Sequence, residues 1–191
     1  MDCRPVIVWD VDDVLNNLTY EWFKEYRTAH PETVTYEQLS SNPPVAELQM
    51  KLSVFLSSLD DFRRRRLTGL APAPEVLAWL RLHGDKFRHA AMTAVPAKFA
   101  PLSAEWVLRH FGLWLRSFHF VPSPRPGEEM IVYDASKADF MSKIGRVDYF
   151  IDDNEKNISD AAAPGINAML FPRPWNSSRR MSASEFLKQI Q

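Results

Sequence analysis

The sequence is short of cysteine, of net charge and of long apolar runs. Its only cysteine, Cys3, cannot form a disulfide within the chain, which is typical of a reducing compartment. No segment approaches the roughly 20 apolar residues of a membrane-spanning helix. Asp10 interrupts the one apolar stretch near the N-terminus before it reaches the length of a signal peptide. We therefore expect a soluble, cytoplasmic protein without a membrane partner.

Net charge is nearly absent as well. Lysine and arginine number 23 and the acidic residues 24, which gives a formal charge of −1. This balance does not favour a nucleic-acid polymer or an acidic membrane as a partner. The one basic run, residues 63–66, could attract an anionic substrate, but we expect a solvated helix end. A length of 191 residues allows one substantial core with room for an insertion.

The chain begins with an apolar run that stops at three carboxylates. Val6–Trp9 has no polar residue, which is typical of a strand covered on both faces in a parallel sheet. Asp10, Asp12 and Asp13 follow at the carboxyl end of that strand, where open α/β sheets bind ligands. Carboxylates about 4 Å apart repel by roughly 4 kcal/mol at an effective dielectric near 20, and Mg²⁺ would remove that repulsion. The alternative is an aspartate-rich turn that caps the next helix.

Strands and helices alternate through the rest of the chain. The apolar patterns predict helices over about 17–30, 75–83, 102–115, 137–144 and 155–163, strands over 87–92, 118–121, 147–151 and 166–171, and a terminal helix. Gly84 is the expected C-cap of the helix over 75–83. A short segment at 130–133 has an extended pattern. This alternation predicts an α/β fold with a doubly wound parallel sheet.

Residues 17–69 do not fit a simple crossover between two strands. An apolar stripe from Val45 to Leu59, preceded by Pro43 and Pro44, predicts a second helix after the one over 17–30. Two helices and a loop before the next strand are too much for one connection. We therefore predict a helical insert over 17–69 and a core formed by 1–16 and 70–191.

Further polar residues stand at the ends of predicted elements. Thr93 ends the second strand, Lys137 opens a helix, and Asp152 and Asp153 end a later strand. Ser136 begins a near capping box, so Lys137 falls in the first helical turn, where a cation opposes the helix dipole. Such a broken local rule indicates function.

Lys143 is the competing lysine for this role. It is closer in sequence to Asp152, but it should lie late in the helix that Lys137 opens. A surface lysine is ordinary at that position, so Lys137 is favoured.

These motifs, in this order, resemble those of the haloacid dehalogenase superfamily. Its members carry an apolar strand ending in Asp-x-Asp, a strand ending in Thr or Ser, a lysine, and a strand ending in paired acids. The resemblance covers the whole chain and includes the position of the insert. It implies a Rossmannoid core, with residues 17–69 as a helical cap that selects a small phosphorylated metabolite.

The resemblance and the chemistry of phosphate esters assign the same catalytic roles. Asp10 would attack phosphorus and form an aspartyl phosphate, and Asp12 would serve as general acid and base. Thr93 would donate a hydrogen bond to a phosphoryl oxygen. Lys137 would pair with Asp10 and with the phosphate.

The metal and substrate contacts follow from the same resemblance. Asp10, the backbone carbonyl of Asp12, Asp152 and Asp153 would hold Mg²⁺, with Asp153 bound directly or through water. By their position just past the nucleophile, Asn16, Asn17, Tyr20 and Trp22 could contact the leaving group, and packing explains Tyr20 and Trp22 equally well. The segment 170–176, LFPRPWN, is similar to a stretch in small bacterial relatives of 5'-deoxyribonucleotidases. This similarity suggests a nucleotide monophosphate as one candidate substrate, and a sugar phosphate is the other candidate.

Two residues depart from the usual pattern of the superfamily. Asp13 stands where glycine is frequent and Ala94 where asparagine is frequent, which leaves the role of Asp13 open. Three alternatives also stay open: a phosphorylated receiver domain, a catalytically silent binding protein and a dehalogenase. Receivers place the phosphoacceptor after the third strand and lack the insert. Dehalogenases lack the second aspartate, here Asp12, because a halide leaves without a proton.

Overall fold

A five-stranded sheet lies at the centre of the computed structural model, which describes residues 3–129, 131–162 and 166–190. Its strands are β1 (Val6–Trp9), β2 (Arg88–Val95), β3 (Leu115–Pro122), β4 (Tyr149–Asp152) and β5 (Asn167–Leu170). They lie in the order β3-β2-β1-β4-β5, and every pairing is parallel. The predicted α/β architecture is confirmed.

Seven α-helices are present among the described residues. They are α1 (Leu18–Ala29), α2 (Leu52–Arg66), α3 (Pro74–His83), α4 (Ala100–Phe111), α5 (Lys137–Met141), α6 (Glu155–Asp160) and α7 (Ala183–Leu187). No helix in the described part of the chain has the length and apolar character needed to cross a bilayer.

The burial of the central strand β1 on both faces explains why its sequence is apolar throughout. Ile7 and Trp9 belong to one hydrophobic cluster and Val8 belongs to a second. Successive side chains of a strand point to opposite faces, so both faces of β1 are buried. All three side chains have 0% exposure, which is why no polar residue interrupts them.

The segment 17–69 is inserted directly after the first strand and its turn. Its two ends lie side by side, because Asn16 forms an isolated bridge with Pro72 and the Ala73 amide donates to the Leu15 carbonyl at 2.8 Å. Inside the segment, Trp22 of α1 packs edge-on against Phe55 of α2 at 5.0 Å. Both aromatic residues belong to the same hydrophobic cluster as the sheet residues, so the insert and the core share one apolar interior.

The prediction of one helix along the stripe from Val45 to Leu59 is wrong. The helix begins only at Leu52, after turns in which the Met50 amide donates to the Val45 carbonyl and Gln49 has φ 49°. It then continues through the charged residues to Arg66. Leu48 is nevertheless buried. Burial along the stripe is uneven, because Phe55 and Leu59 are also buried whereas Leu52 is half exposed. The spacing therefore predicted neither a single helix nor a continuous buried face.

Several boundaries also differ from the predicted ones. The helix expected over 102–115 ends at Phe111, and Leu115 instead begins β3. Leu108, expected to face inward, is half exposed. The helix expected to reach 144 ends at Met141. Residues 131–133 have no regular structure, while 130 and 163 lie outside the described residues.

Gly84 provides a test of packing at the end of α3, where it is the C-cap that the sequence predicted. A Cβ at this position would lie 2.6 Å from Cδ1 of Trp114. We expect Gly84→Ala to lower the free energy of unfolding by about 1–3 kcal/mol through overpacking, measured by urea denaturation. Gly69→Ala is the matched control, because no atom lies within 4 Å of its Cβ position. Equal effects of the two substitutions would contradict this explanation.

Candidate active site

The turn after β1 places the first two acidic residues at the carboxyl edge of the sheet. The Asp10 amide donates to the Ile151 carbonyl at 2.8 Å, which continues the pairing of β1 with β4. The chain then turns sharply: the Asn16 amide donates to the Val11 carbonyl at 3.2 Å, and Asp13 has φ 62°. Asp10 therefore stays in line with its strand, and the following residues turn back towards the insert.

Lys137 links the ends of two neighbouring strands. Its Nζ lies 2.7 Å from Oδ1 of Asp10 and 2.6 Å from Oδ2 of Asp152, and its side chain is only 3% exposed. The Ser136 hydroxyl caps α5 and so places Lys137 in the first turn, as the sequence predicted. Lys143, which the sequence placed late in this helix, lies two residues beyond its end, is exposed and pairs with Asp134 and Asp139. The geometry thus brings Lys137, and not Lys143, to the first acidic motif.

Three carboxylates converge around this lysine. One oxygen each from Asp10, Asp152 and Asp153 lie within 4.8 Å of one another, and all three residues are buried. Nδ2 of Asn157 donates to Oδ2 of Asp152 at 3.0 Å. Nε1 of Trp175 donates to Oδ2 of Asp153 at 2.9 Å. Each carboxylate is therefore held in place by a neighbouring donor.

The electrostatic strain of this cluster appears in its pKa values. Burial raises the pKa of Asp10 well above its usual range, and the charge of Lys137 opposes that rise. Burial, together with the charge of Asp152, raises the pKa of Asp153 to about 8. Burial alone would lower the pKa of Lys137, but the attraction of Asp10 and Asp152 outweighs it and raises the value. Lys137 therefore does not fully compensate the charge of the three carboxylates when all are ionised.

A divalent cation fits this site. Three carboxylates against one lysine leave two negative charges in excess when all are ionised, which Mg²⁺ would balance. Carboxylate oxygens are the protein ligands that Mg²⁺ prefers. Asp10, Asp152 and Asp153 are thus the residues that could hold the ion. The contribution expected from the Asp12 carbonyl stays a prediction.

Asp12 is held by two polar neighbours. Its Oδ2 accepts from Nη2 of Arg63 at 2.9 Å, and its Oδ1 accepts from Nδ2 of Asn16 at 3.2 Å. Asn16 is fully buried, and its own Oδ1 accepts from the amides of Asp13 and Leu18. In this structure Asn16 orients Asp12. Its expected contact with a leaving group stays a prediction.

Thr93 lies beside the first strand at the same edge of the sheet. β2 pairs with β1 so that Ala91 is opposite Trp9, which places Thr93 two positions beyond the end of β1. The strand continues to Val95, so Thr93 lies inside β2 and not after it. Thr93 is almost fully buried. Its hydrogen bond to a phosphoryl oxygen stays a prediction.

The role of Asp13, open from the sequence, is structural in this arrangement. Its carboxylate accepts from the Thr19 amide at 2.9 Å and from the Thr19 hydroxyl at the start of α1. Nε of Arg173 donates to the Asp13 carbonyl at 2.5 Å. Asp13 therefore caps the next helix, as the alternative of a capping turn predicts. Asp10 caps only the short turn that follows it, where its Oδ1 accepts from the Val11 amide at 2.7 Å, and Asp12 binds Arg63 and Asn16 instead.

The segment 170–176 supports the site from the other side. Besides the contacts of Arg173 and Trp175, Nδ2 of Asn176 donates to the Asp153 carbonyl at 2.9 Å. These bonds attach the segment to the first turn and to the second acidic pair. They explain its polar residues, and the link of this segment to nucleotides stays a prediction.

The sequence interpretation missed Arg63. The expectation of a solvated basic run is correct for residues 64–66 and wrong for Arg63, whose side chain is 7% exposed while that of Arg64 is 62% exposed. A usable signal was present. Phe55, Leu59 and Arg63 are spaced by four residues, so Arg63 continues the buried stripe of α2.

Comparisons with known proteins support the fold. No protein-family model matches the chain, and no curated protein matches it. Several solved structures, in contrast, have a similar fold. One, a provisionally described haloacid dehalogenase-like hydrolase from Bacteroides fragilis, is 16% identical with a TM-score of 0.55 over 97% of this chain and 93% of its own.

Two further structures, also provisionally described, cover nearly the whole chain. A phosphoglycolate phosphatase from Lactobacillus delbrueckii subsp. bulgaricus is 13% identical with a TM-score of 0.57, over 99% of this chain and 92% of its own. A β-phosphoglucomutase from Thermotoga maritima is 15% identical with a TM-score of 0.55, over 98% and 100%. The chain therefore has the fold of the haloacid dehalogenase-like hydrolases.

The excess negative charge makes metal binding testable without catalysis. Magnesium should raise the melting temperature of the wild-type protein, because binding to the folded state stabilises it by about 2.7 kcal/mol at 100 times the Kd. At a pH of about 9, where Asp153 is ionised because its pKa is about 8, Asp153→Asn should reduce this shift and raise the melting temperature without metal, since it removes one buried charge. Differential scanning calorimetry measures both effects.

Asp61→Asn is the control for this experiment. It makes the same charge change at a surface position that is 57% exposed. The magnesium shift should persist in this variant. Equal shifts in all three proteins would show that the ion binds elsewhere.

Proposed function

We propose that the protein is a magnesium-dependent phosphatase that hydrolyses a small phosphomonoester through an aspartyl phosphate on Asp10. The observation that carries this proposal is the buried cluster of Asp10, Asp152, Asp153 and Lys137 at the carboxyl edge of the sheet. The hydrolase fold supports it. Two of the similar structures also carry names of phosphate-processing enzymes.

In the first half of the reaction a carboxylate oxygen of Asp10 attacks phosphorus. The bond between phosphorus and the ester oxygen breaks, and its electron pair stays on the leaving oxygen. Asp12 stands two positions after Asp10 and is oriented by Asn16. It gives that oxygen a proton, so the alcohol leaves as a neutral molecule. Lys137 holds Asp10 in position and offers positive charge to the phosphoryl group.

In the second half Asp12 acts as a base. It takes a proton from a water molecule whose oxygen attacks phosphorus, and the bond between phosphorus and Asp10 breaks. Inorganic phosphate leaves, and Asp10 returns as a carboxylate. Thr93 donates its hydroxyl hydrogen to a phosphoryl oxygen in both halves.

The metal site belongs to the same proposal. Asp10, Asp152 and Asp153 hold Mg²⁺, which when bound neutralises phosphate charge and the mutual repulsion of the carboxylates. Trp175 and Asn157 keep two of these carboxylates aimed at the site.

The substrate class follows from the insert over 17–69, which we propose to be a cap above the site. Its α2 reaches the first acidic motif through Arg63. A covered site favours a small metabolite, such as a nucleotide or a sugar phosphate, over a polymer. We place the enzyme in the cytoplasm.

The presence of Asp12 favours a phosphatase over a dehalogenase, which is the enzymatic alternative. A dehalogenase needs no proton for its leaving halide, whereas an ester oxygen does, so an oriented carboxyl beside Asp10 favours phosphate. A catalytically silent protein that binds phosphate and magnesium would use the same cluster. Only turnover distinguishes it from an enzyme.

The activity test uses p-nitrophenyl phosphate. Hydrolysis should require magnesium and stop when the metal is chelated. Asp10→Asn should abolish turnover without loss of the fold, and Asp12→Asn should lower kcat by about 10²–10⁴-fold, the range for general acid–base catalysis. Full activity in Asp10→Asn would contradict the assignment of Asp10 as the nucleophile. Absence of turnover in a folded, magnesium-binding wild type would instead favour the silent protein.

The two lysines of the α5 region provide a second test. Lys137→Met should lower kcat/KM by about 100-fold or more, because it removes a preorganised charge from the reacting group. It should also lower the free energy of unfolding by about 3–5 kcal/mol, since the carboxylates lose their buried partner. Lys143→Met, at an exposed position, should leave both quantities nearly unchanged. The reverse ranking would assign the role to Lys143.

A further inference from the structure

Arg63 is a buried cation at the boundary between the insert and the core. It lies on α2, yet its Nη2 reaches Oδ2 of Asp12 in the turn after β1, at 2.9 Å. Its Nη1 lies 3.4 Å from Oδ1 of Asp60. The side chain is 7% exposed. A charged group in such a place needs partners for its hydrogen-bond donors.

Those partners are incomplete. An arginine side chain carries five N–H donors, and Nε of Arg63 is buried with no hydrogen-bond partner among the described residues. The neighbouring Arg125 is better satisfied: its Nε and Nη2 donate to the two oxygens of Asp60 at 2.9 and 2.8 Å, and its Nη1 donates to Ser123. Arg63 is therefore the guanidinium here with an unused donor.

The charges around Arg63 favour a singly charged ligand. Both oxygens of Asp60 accept hydrogen bonds from Arg125, and one of them also lies 3.5 Å from Nζ of Lys98. The negative charge of Asp60 is therefore divided among several cations, and only part of it compensates Arg63. Arg63 depends mainly on Asp12 for its counter-charge. Lys98 has a further partner in Glu128. Asp60 and Arg63 are buried, Asp12 and Arg125 are partly exposed, and their charges balance as two against two. A singly charged carboxylate would therefore disturb this balance less than a second, doubly charged phosphate.

We propose that Arg63 binds a carboxylate on the leaving group of the substrate, which makes the substrate a phosphomonoester of a hydroxy acid. This inference rests on the proposed function, in which the leaving oxygen receives its proton from Asp12. A guanidinium that touches Asp12 at 2.9 Å lies within reach of groups a few bonds from that oxygen. Its planar donors match the two oxygens of a carboxylate.

The test compares phosphate esters that differ only in this carboxylate. The pairs are 3-phosphoglycerate with glycerol 3-phosphate and 2-phosphoglycerate with glycerol 2-phosphate. In at least one pair the magnesium-loaded wild type should prefer the carboxylate by about tenfold or more in kcat/KM, as for a charge-assisted hydrogen bond. Arg63→Met should bring that ratio close to one. Arg63→Lys keeps the positive charge but loses the planar guanidinium with its paired donors, so it should give an intermediate ratio.

Arg64→Met is the matched control. Arg64 is the next residue of α2, is 62% exposed and pairs with Asp61. Its substitution should leave the ratio as in the wild type. Melting temperatures of all variants identify any loss of the fold, and Arg63→Lys decides the question if Arg63→Met does not fold.

A binding experiment separates this inference from the proposed function. Calorimetric titration of Asp10→Asn with the same esters should give the carboxylate preference without turnover, and Arg63→Met in that background should remove it. A wild type that hydrolyses none of the four esters or p-nitrophenyl phosphate would overturn the phosphatase, while the affinity ratio would still decide the role of Arg63. Ratios near one in the wild type, or unchanged by Arg63→Met, would overturn the role of Arg63 alone.

Discussion

The ion pairs of one buried lysine with two carboxylates constrain the rest of the structure. Lys137 can reach both Asp10 and Asp152 only if β1 and β4 are neighbours and end at the same edge, with α5 beginning beside them. Asp153 adds a third buried carboxylate, and unpaired charge is costly in a buried position. The site is therefore built to hold more positive charge than the chain itself provides.

Two other parts of the chain fix the orientation of these acids. The segment 170–176 binds the second acidic pair through Trp175 and Asn176, and the first turn through Arg173. From the opposite direction, α2 of the insert reaches Asp12 with Arg63. Because the insert shares one hydrophobic cluster with the sheet, this contact is supported by apolar packing and not by the ion pair alone.

Much of the fold could be predicted, and the errors have one cause. The unbroken apolar run of β1 and the Ser136 cap before Lys137 are local signals, and both predictions are confirmed. The helix predicted from Val45 and the one extended to Leu115 failed because apolar spacing alone does not fix where the backbone enters or leaves a helix. Those boundaries depend on local backbone geometry such as the positive φ of Gln49. The spacing is also an incomplete guide to burial, since Leu52 and Leu108 are half exposed.

The sequence by itself determined which residue types stand at the strand ends, since hydrophobic runs and the carboxylates after them are read along the chain. Only the tertiary structure decided which of these groups meet. Lys137 rather than Lys143 faces Asp10, Asp13 caps a helix beside a catalytic candidate, and Arg63 is buried among exposed arginines. The partners of Arg63 and Trp175 lie 51 and 22 residues away, and contacts at such separations depend on how helices and loops pack.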